Sequence, residues 1–202
     1  MSRTHVVSPT ELRLRQLLKD KPRIGPLTIS TLLRLNQWTN SIQAGQGDAP
    51  LRRKLTGPAT DPDPIQQIAE NFIDRANGME RQLLSKSLQE ALFYVIKFET
   101  ELDVTQIKMR LKRFLGHGKR FAFIQQFLCL YIFNYVWSHT GESFRAAASS
   151  SQVFEKEMEE VQRICERAVA SVLKSTEQTE HRLDRNTAKE LIQRIEQRLR
   201  RT

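Results

Sequence analysis

The chain of 202 residues is 39% hydrophobic and carries a formal net charge of +9. Its length and apolar content suffice for one domain with a sizeable core, and its glycines and prolines are too few for a collagen-like or broadly low-complexity chain. The positive charge favours an anionic partner, which means nucleic acid, an acidic membrane surface or an acidic protein, although a basic protein without such a partner has the same composition.

The N-terminal segment 1–44 predicts a basic helical hairpin. Ser8 is a suitable cap for a first helix, a proline follows at the first helical position, and Glu11 completes a capping box. A second helix is predicted over 28–44, where apolar residues recur at helical spacing. A helix-turn-helix is the alternative, but the connection is longer than usual and the second helix offers only Arg34 as a cation for reading bases. A plain hairpin is therefore favoured.

Residues 45–63 form the predicted flexible linker, because glycines and prolines recur there without a helical period. The linker carries a basic cluster of Arg52, Arg53 and Lys54. Such a cluster neutralises phosphates when a loop orders on nucleic acid, although a solvated loop has the same composition. We expect the linker to separate the N-terminal hairpin arm from a helical bundle domain over 64–202.

Two amphipathic helices are expected at the start of that domain. Asp63 and Pro64 suit the beginning of the first helix, and Asn77-Gly78 suits its end. The second helix is predicted over 79–100, and its later half is apolar on more than one side. That half is therefore expected in the core.

A basic helix, a Gly-His-Gly turn and an apolar helix are predicted next, between Asp103 and Thr140. Neither Asp nor Glu occurs from 104 to 141. The helix over 103–115 combines a narrow apolar seam with flanking lysines and arginines. A glycine-containing turn that leads into a helix presents free backbone N–H groups, so the turn at 116–118 is a candidate phosphate contact. The alternative is a helix corner whose first turn is basic.

The helix over about 119–138 is apolar nearly all round, which predicts the central helix of a multi-helix bundle. Thr140-Gly141 is expected to end it. Membrane crossing is disfavoured, because the apolar run is at the short limit and amide side chains interrupt it. The aromatic rings of this helix are expected in the core, whereas Trp38 has polar surroundings and is the better candidate for an exposed aromatic residue.

Two amphipathic helices complete the chain, one from about Ser151 and one over 187–201 with Asn186 as its cap. Their narrow apolar stripes suit a partner helix, so self-association or a partner chain bound through 151–201 is one hypothesis. No segment alternates with period two. The predicted fold is therefore an all-α multi-helix bundle.

Patterns for catalysis or metal binding are weak. No histidine has a second ligand at metal-binding spacing, so no metal or other cofactor is expected. Ser138, His139 and Glu142 are nucleophile and base types that are close in sequence, but a polar helix end explains them equally well. Cys129 and Cys165 lie among apolar residues, which predicts buried free thiols in a reducing, cytoplasmic compartment. The N-terminus has no apolar signal core, so no secretory peptide is expected.

The charge pattern favours a non-enzymatic nucleic-acid-binding or nucleoprotein-complex subunit that contacts DNA or RNA phosphates without base readout. An acidic protein is the other partner that this charge suits. The candidate contacts are Arg52, Arg53, Lys54, Lys108, Lys112, Arg113, Lys119 and Arg120. The alternative function is a helical scaffold or adaptor that binds a protein partner or a second copy. An enzyme is the least favoured class, since no catalytic motif is present.

Overall fold

Helical periodicity in the sequence corresponds to α-helices throughout the described part of the chain, which comprises residues 7–44, 64–73, 78–96, 104–116, 119–177 and 183–200 of a computed structural model. No strand occurs in these residues, so the predicted all-α multi-helix bundle is confirmed. The helices are α1 (Pro9–Leu18), α2 (Pro26–Gln43), α3 (Pro64–Phe72), α4 (Met79–Ile96), α5 (Val104–Gly116), α6 (Arg120–Ala147), α7 (Ser151–Glu177) and α8 (Arg185–Arg200).

The predicted central apolar helix corresponds to α6. Helices α1, α2, α4, α5 and α7 all pack against it. Its residues Phe127, Leu128, Tyr131 and Ile132 are fully buried, because neighbours cover α6 on more than one side. A helix that is apolar nearly all round is stable only in such a position.

The two helices of the N-terminal hairpin share the core of the later helices. Leu14 and Leu18 of α1 and Leu32 of α2 are fully or almost fully buried in the same hydrophobic cluster as α6. The prediction of an exposed Trp38 is wrong, because its side chain is only 1% exposed and packs against Phe72 at a ring-centroid distance of 5.0 Å. The linker prediction over 45–63 lies outside the described residues.

The expected end of the central helix at Thr140-Gly141 is wrong, since α6 continues to Ala147. The Thr140 hydroxyl donates to the Val136 carbonyl at 2.8 Å within the helix. Gly141 lies beside the Trp137 ring, where a Cβ atom would be 3.3 Å from the nearest ring carbon. Phe144, one turn further, is fully buried. Its burial outweighs the cost of about 1 kcal/mol of an interior glycine.

The predicted cap of the last helix is also wrong. Asp184, and not Asn186, accepts hydrogen bonds from the Thr187 backbone N–H at 2.8 Å and from the Thr187 hydroxyl at 3.0 Å. Both residue types are good caps, so the sequence favours neither strongly. The helix therefore begins at Arg185, two residues earlier than expected.

Side chains of α4 and α8 hold the connection between α1 and α2 in place. Arg200 donates to the backbone oxygens of Leu18 at 2.6 Å, Lys21 at 3.1 Å and Pro22 at 2.8 Å. Glu196 accepts from the Ile24 N–H at 2.7 Å.

Helix α4 adds a further contact at the start of α2. The carboxylate of Glu80 accepts from the N–H of Thr28 in the first turn of α2 at 3.0 Å. The connection is therefore built into the bundle by charged side chains that are distant in sequence.

The apolar stripes of α7 and α8 are buried inside the bundle. Val161 and Cys165 of α7 and Ile195 of α8 are fully buried, and the two helices pack against each other. Helix α7 also packs on α6, and α8 packs on α2. These stripes, which the sequence offers to a partner helix, are covered by helices of the same chain.

Candidate functional site

Helix α5 presents a basic outer face. Ile107, Leu111 and Leu115 recur every four residues and are buried, so the opposite side of the helix faces solvent. On that side Lys112 and Arg113 are exposed in the last turns of the helix. We call the exposed residues Lys112, Arg113 and Lys119 the basic face.

Lys119 joins this face from the next helix, because it precedes the first residue of α6. Its Nζ atom lies 5.4 Å from the centroid of the Phe114 ring, so a cation–π contact keeps the ammonium group beside the last turn of α5. Among the described residues, no side chain caps the N-terminus of α6. The backbone N–H groups of that first turn add partial positive charge to the charge of Lys119.

The structure describes the side chains of three of the eight predicted contact residues. Lys112, Arg113 and Lys119 are exposed where α5 ends and α6 begins. Lys108 and Arg120 belong to α5 and α6, but their side chains lie outside the described part of the structure. The linker cluster Arg52, Arg53 and Lys54 also lies outside the described residues and stays a prediction.

Carboxylates on α3 and α4, two of the helices that pack on α5, have partners in the described part of the chain. Helix α2 contains neither Asp nor Glu. Glu70 of α3 binds Arg81 and accepts a hydrogen bond from Ser85 at 2.9 Å. Glu90 of α4 accepts from Asn134 at 3.1 Å. Paired carboxylates weaken the potential of the basic face less than unpaired ones would.

A second feature is an open groove between α4, α6 and α7 with a volume of about 1370 Å³. Cys129, Leu130 and Phe133 of α6 form its floor, and all three are half-buried. Phe93 and Tyr94 of α4 form one wall, and the Tyr94 side chain is 54% exposed. Single exposed apolar residues are common on proteins, but here several adjoin one concave surface.

Charged side chains of both signs surround this groove. The α4 wall contributes Lys86 and Glu90, which form an ion pair at 3.8 Å. The α7 wall contributes Glu160, Arg163, Glu166 and Arg167. Positive and negative charges are equal in number, so the groove has no net charge.

The thiols of the protein are protonated at neutral pH. Burial, together with the nearby Glu166 carboxylate, raises the pKa of Cys129 to about 12. Burial also raises the pKa of Cys165, which is fully buried on α7. Both cysteines are free. Because a thiol and not a thiolate faces the groove, Cys129 acts there as a small apolar side chain.

The polar side chains at Ser138 and His139 make their contacts within their own helix, α6. The Ser138 hydroxyl donates to the Tyr135 carbonyl at 2.8 Å and lies 2.9 Å from Nδ1 of His139. The same imidazole nitrogen lies 2.9 Å from the Tyr135 carbonyl oxygen. Glu142 is exposed on the following turn. This arrangement fits a polar section of helix, and it does not position a base behind a nucleophile.

Within the described ranges, no three His, Cys, Asp or Glu side chains converge as a metal site would require. In the same part of the chain, no helix has both the length and the apolar character needed to cross a membrane. Comparisons of the chain with protein-family models, with characterised proteins and with solved structures find no match.

Sequence reasoning missed the groove. The α6 residues Gln126, Leu130, Phe133 and Trp137 are separated by four, three and four positions, which is the signature of a helix-packing seam. That signal was present in the sequence. It was hidden because the whole helix is apolar, so one uncovered stripe does not stand out from the covered ones.

Proposed function

We propose that the protein is a non-enzymatic nucleic-acid-binding subunit that contacts the phosphate backbone through its basic face. The observation that supports this most directly is the exposure of Lys112, Arg113 and Lys119 in a stretch without any acidic residue from 104 to 141. A phosphate backbone presents closely spaced negative charges, and a cluster of cations displaces several counterions from it at once.

The geometry suits backbone contacts better than base recognition. Lysine and arginine at a helix end contact phosphates, and they carry no sequence information there. Because Lys119 is held against Phe114, its ammonium group loses less side-chain entropy on binding than a free lysine does. The uncapped N-terminus of α6 favours an anion at the same end of the face. We therefore expect weak discrimination between sequences.

The same proposal assigns the protein to a reducing intracellular compartment, a choice supported by its two free thiols.

The test is the binding of short fluorescent oligonucleotides, measured by anisotropy across a salt series with duplex DNA, single-stranded DNA and RNA. The variant Lys112→Ala/Lys119→Ala removes two charges from the basic face. The control Lys174→Ala/Arg198→Ala removes two charges from exposed positions on α7 and α8. We expect the first variant to bind duplex at least about 10-fold more weakly and to lower the salt slope by about 2, because each lost phosphate contact contributes about 0.9. The control should stay within about 2-fold of the wild type.

Three results would contradict the proposal: no binding to any of the oligonucleotides, an affinity that does not change with salt, or equal losses in the two variants. A polyglutamate competitor tests the acidic-protein alternative. If polyglutamate displaces duplex at an equal concentration of charges, the basic face recognises polyanions in general and the nucleic-acid assignment fails.

A further inference from the structure

The groove between α4, α6 and α7 has the geometry of a helical bundle with one helix position open. Helices α4 and α7 both pack along α6, and within the described residues they do not contact each other. One sector of α6 is therefore bordered by a helix on each side, and no helix in the described part of the chain covers it. An α-helix fits such a space, since side chains pack into the grooves between neighbouring helices.

The floor of this groove has the pattern by which helices pack together. Gln126, Leu130 and Phe133 of α6 are separated by four and three residues and are all half-buried. When such a seam is buried, the side chains at these positions insert between the side chains of a facing helix. Tyr94 is 54% exposed on the α4 wall, next to this seam. An aromatic side chain at the edge of an apolar groove is a common anchor for a bound helix.

The charge around the groove selects the chemical class of its occupant. Three cations, Lys86, Arg163 and Arg167, are balanced by the three carboxylates of Glu90, Glu160 and Glu166. A balanced rim gives no attraction for a polyanion, so nucleic acid and acidic lipid are disfavoured here. A helix with an apolar stripe and charges of both signs on either side of it complements both the floor and the rim.

The occupant is not supplied by a second folded copy of this chain. Among the described helices, the amphipathic α7 and α8 bury their apolar stripes inside the bundle. Exposing one of them would transfer buried apolar side chains such as Val161 and Ile195 into water, which is unfavourable. Neither of these described helices therefore has an unburied apolar stripe to offer, which favours a helix from a different protein.

We propose that the groove binds one amphipathic α-helix of a partner protein. The α6 floor extends from Gln125 to Asn134, which is about 14 Å at 1.5 Å per residue, so the bound segment has about three helical turns. This site is separate from the basic face and does not depend on the nucleic-acid proposal. Together they make the protein an adaptor between a helix-bearing partner and a polyanion.

The test is a selection from a displayed library of three-turn peptide helices against the full-length protein. Enriched peptides are synthesised, labelled and titrated against three forms of the protein. The groove variant is Tyr94→Glu, which places a charge on the apolar wall at a position exposed enough to tolerate it. The control Val153→Glu makes the same change at a residue that is 39% exposed on the first turn of α7 and does not line the groove.

We expect the enriched peptides to share an apolar stripe at spacings of three and four residues. They should bind Tyr94→Glu at least about 10-fold more weakly than wild type and bind Val153→Glu within about 2-fold, because a charge placed in an apolar contact must be desolvated. A peptide of the same composition with a scrambled order should not bind. Short duplex DNA should not displace the bound peptide, which separates this site from the basic face.

Several results would overturn the proposal. These are a selection without enrichment, enriched peptides that lack an apolar stripe, and equal binding to wild type and Tyr94→Glu. Sedimentation of the protein alone is the remaining measurement. A dimer that Tyr94→Glu dissociates and Val153→Glu leaves intact would assign the groove to a second copy. Failure of oligonucleotide binding alone would contradict the proposed function and leave the groove proposal standing.

Discussion

The basic face and the groove both depend on α6, but they differ in how the chain builds them. The basic face comes from one continuous stretch, 112–119, in which exposed cations adjoin the start of α6. The groove combines residues 86–94, 125–134 and 160–170 from three helices. A cluster of charges that is continuous in sequence can be identified from the sequence alone. A concave apolar surface exists only after distant helices have packed.

The two regions also differ in the ligand that each suits. The basic face has net positive charge, so binding there should weaken steeply with salt. The groove is neutral at its rim and apolar on its floor, so binding there should respond little to salt and gain from buried apolar area. The following predictions test this contrast in order of decreasing expected effect.

The largest effect concerns the reactivity of the groove thiol. With a pKa of about 12, Cys129 has a thiolate fraction of about 10⁻⁴ at pH 8, roughly a thousand-fold below that of an unperturbed cysteine. A thiol reagent such as Ellman's reagent should therefore react with the native protein about a thousand-fold more slowly than with the exposed control Val153→Cys. In denaturant both natural cysteines should react fully. Fast reaction of Cys129 in the native protein would mean that water reaches the groove floor. It would contradict the distinction between an apolar groove and a solvated basic face.

The next largest effect is on the stability of the whole fold, and not on binding at either region. Arg200 lies in neither region, and it donates to the backbone oxygens of Leu18, Lys21 and Pro22. We expect Arg200→Ala to lower the free energy of unfolding by about 2–4 kcal/mol, because hydrogen bonds to a charged group contribute about 1.5–3 kcal/mol each and are not additive. Urea titration measures the change, and it should leave both binding affinities unaltered while the variant is folded.

The control for this prediction lies on the same helix. Arg198 is exposed, so Arg198→Ala should change the free energy of unfolding by less than about 0.5 kcal/mol. Equal effects of the two substitutions would show that the contacts of Arg200 with the α1–α2 connection contribute nothing to stability.

The smallest effect concerns the pH dependence of the α7 wall. Hydrogen bonds from Ser8 and Thr10 lower the pKa of Glu160, and Arg163 and Arg167 lower it further. A carboxylate with a depressed pKa stabilises the folded state above its unfolded pKa of about 4.3, and this contribution is lost as the pH falls through the folded value. Glu160→Gln should therefore cost a few tenths of a kcal/mol at neutral pH, since the group is partly exposed, and nothing at the acidic end.

Urea titrations of both proteins at neutral pH and below the folded-state pKa of Glu160 give this difference. A cost that is the same at both pH values would mean that the hydrogen bonds, and not the charge, fasten α1 to this wall of the groove.

Local signals in the sequence predicted much of the fold. Ser8 caps α1 as expected, accepting a hydrogen bond from the Glu11 N–H at 3.2 Å. The start of α7 at Ser151 also agrees with the sequence pattern. These predictions are correct because caps, turns and helical periodicity depend on residues a few positions apart.

The errors at Trp38 and at Thr140-Gly141 have one physical origin. Trp38 has polar sequence neighbours, but the rings of Phe72 and Phe123 cover it from α3 and α6. Gly141 has the local preference of a helix end, but burial of Phe144 carries the helix onward. In both places tertiary contacts worth several kcal/mol outweigh a local preference of about 1 kcal/mol.

By itself the sequence determined the all-α class, the central position of α6 and the acid-free basic stretch, because each is a pattern along the chain. Only the tertiary structure decided that α1 and α2 share the main core, that the stripes of α7 and α8 are covered internally, and that a sector of α6 stays open between α4 and α7. An amphipathic stripe indicates that a helix buries one side. Which surface buries it depends on contacts between residues far apart in sequence, and those form only when the whole chain packs.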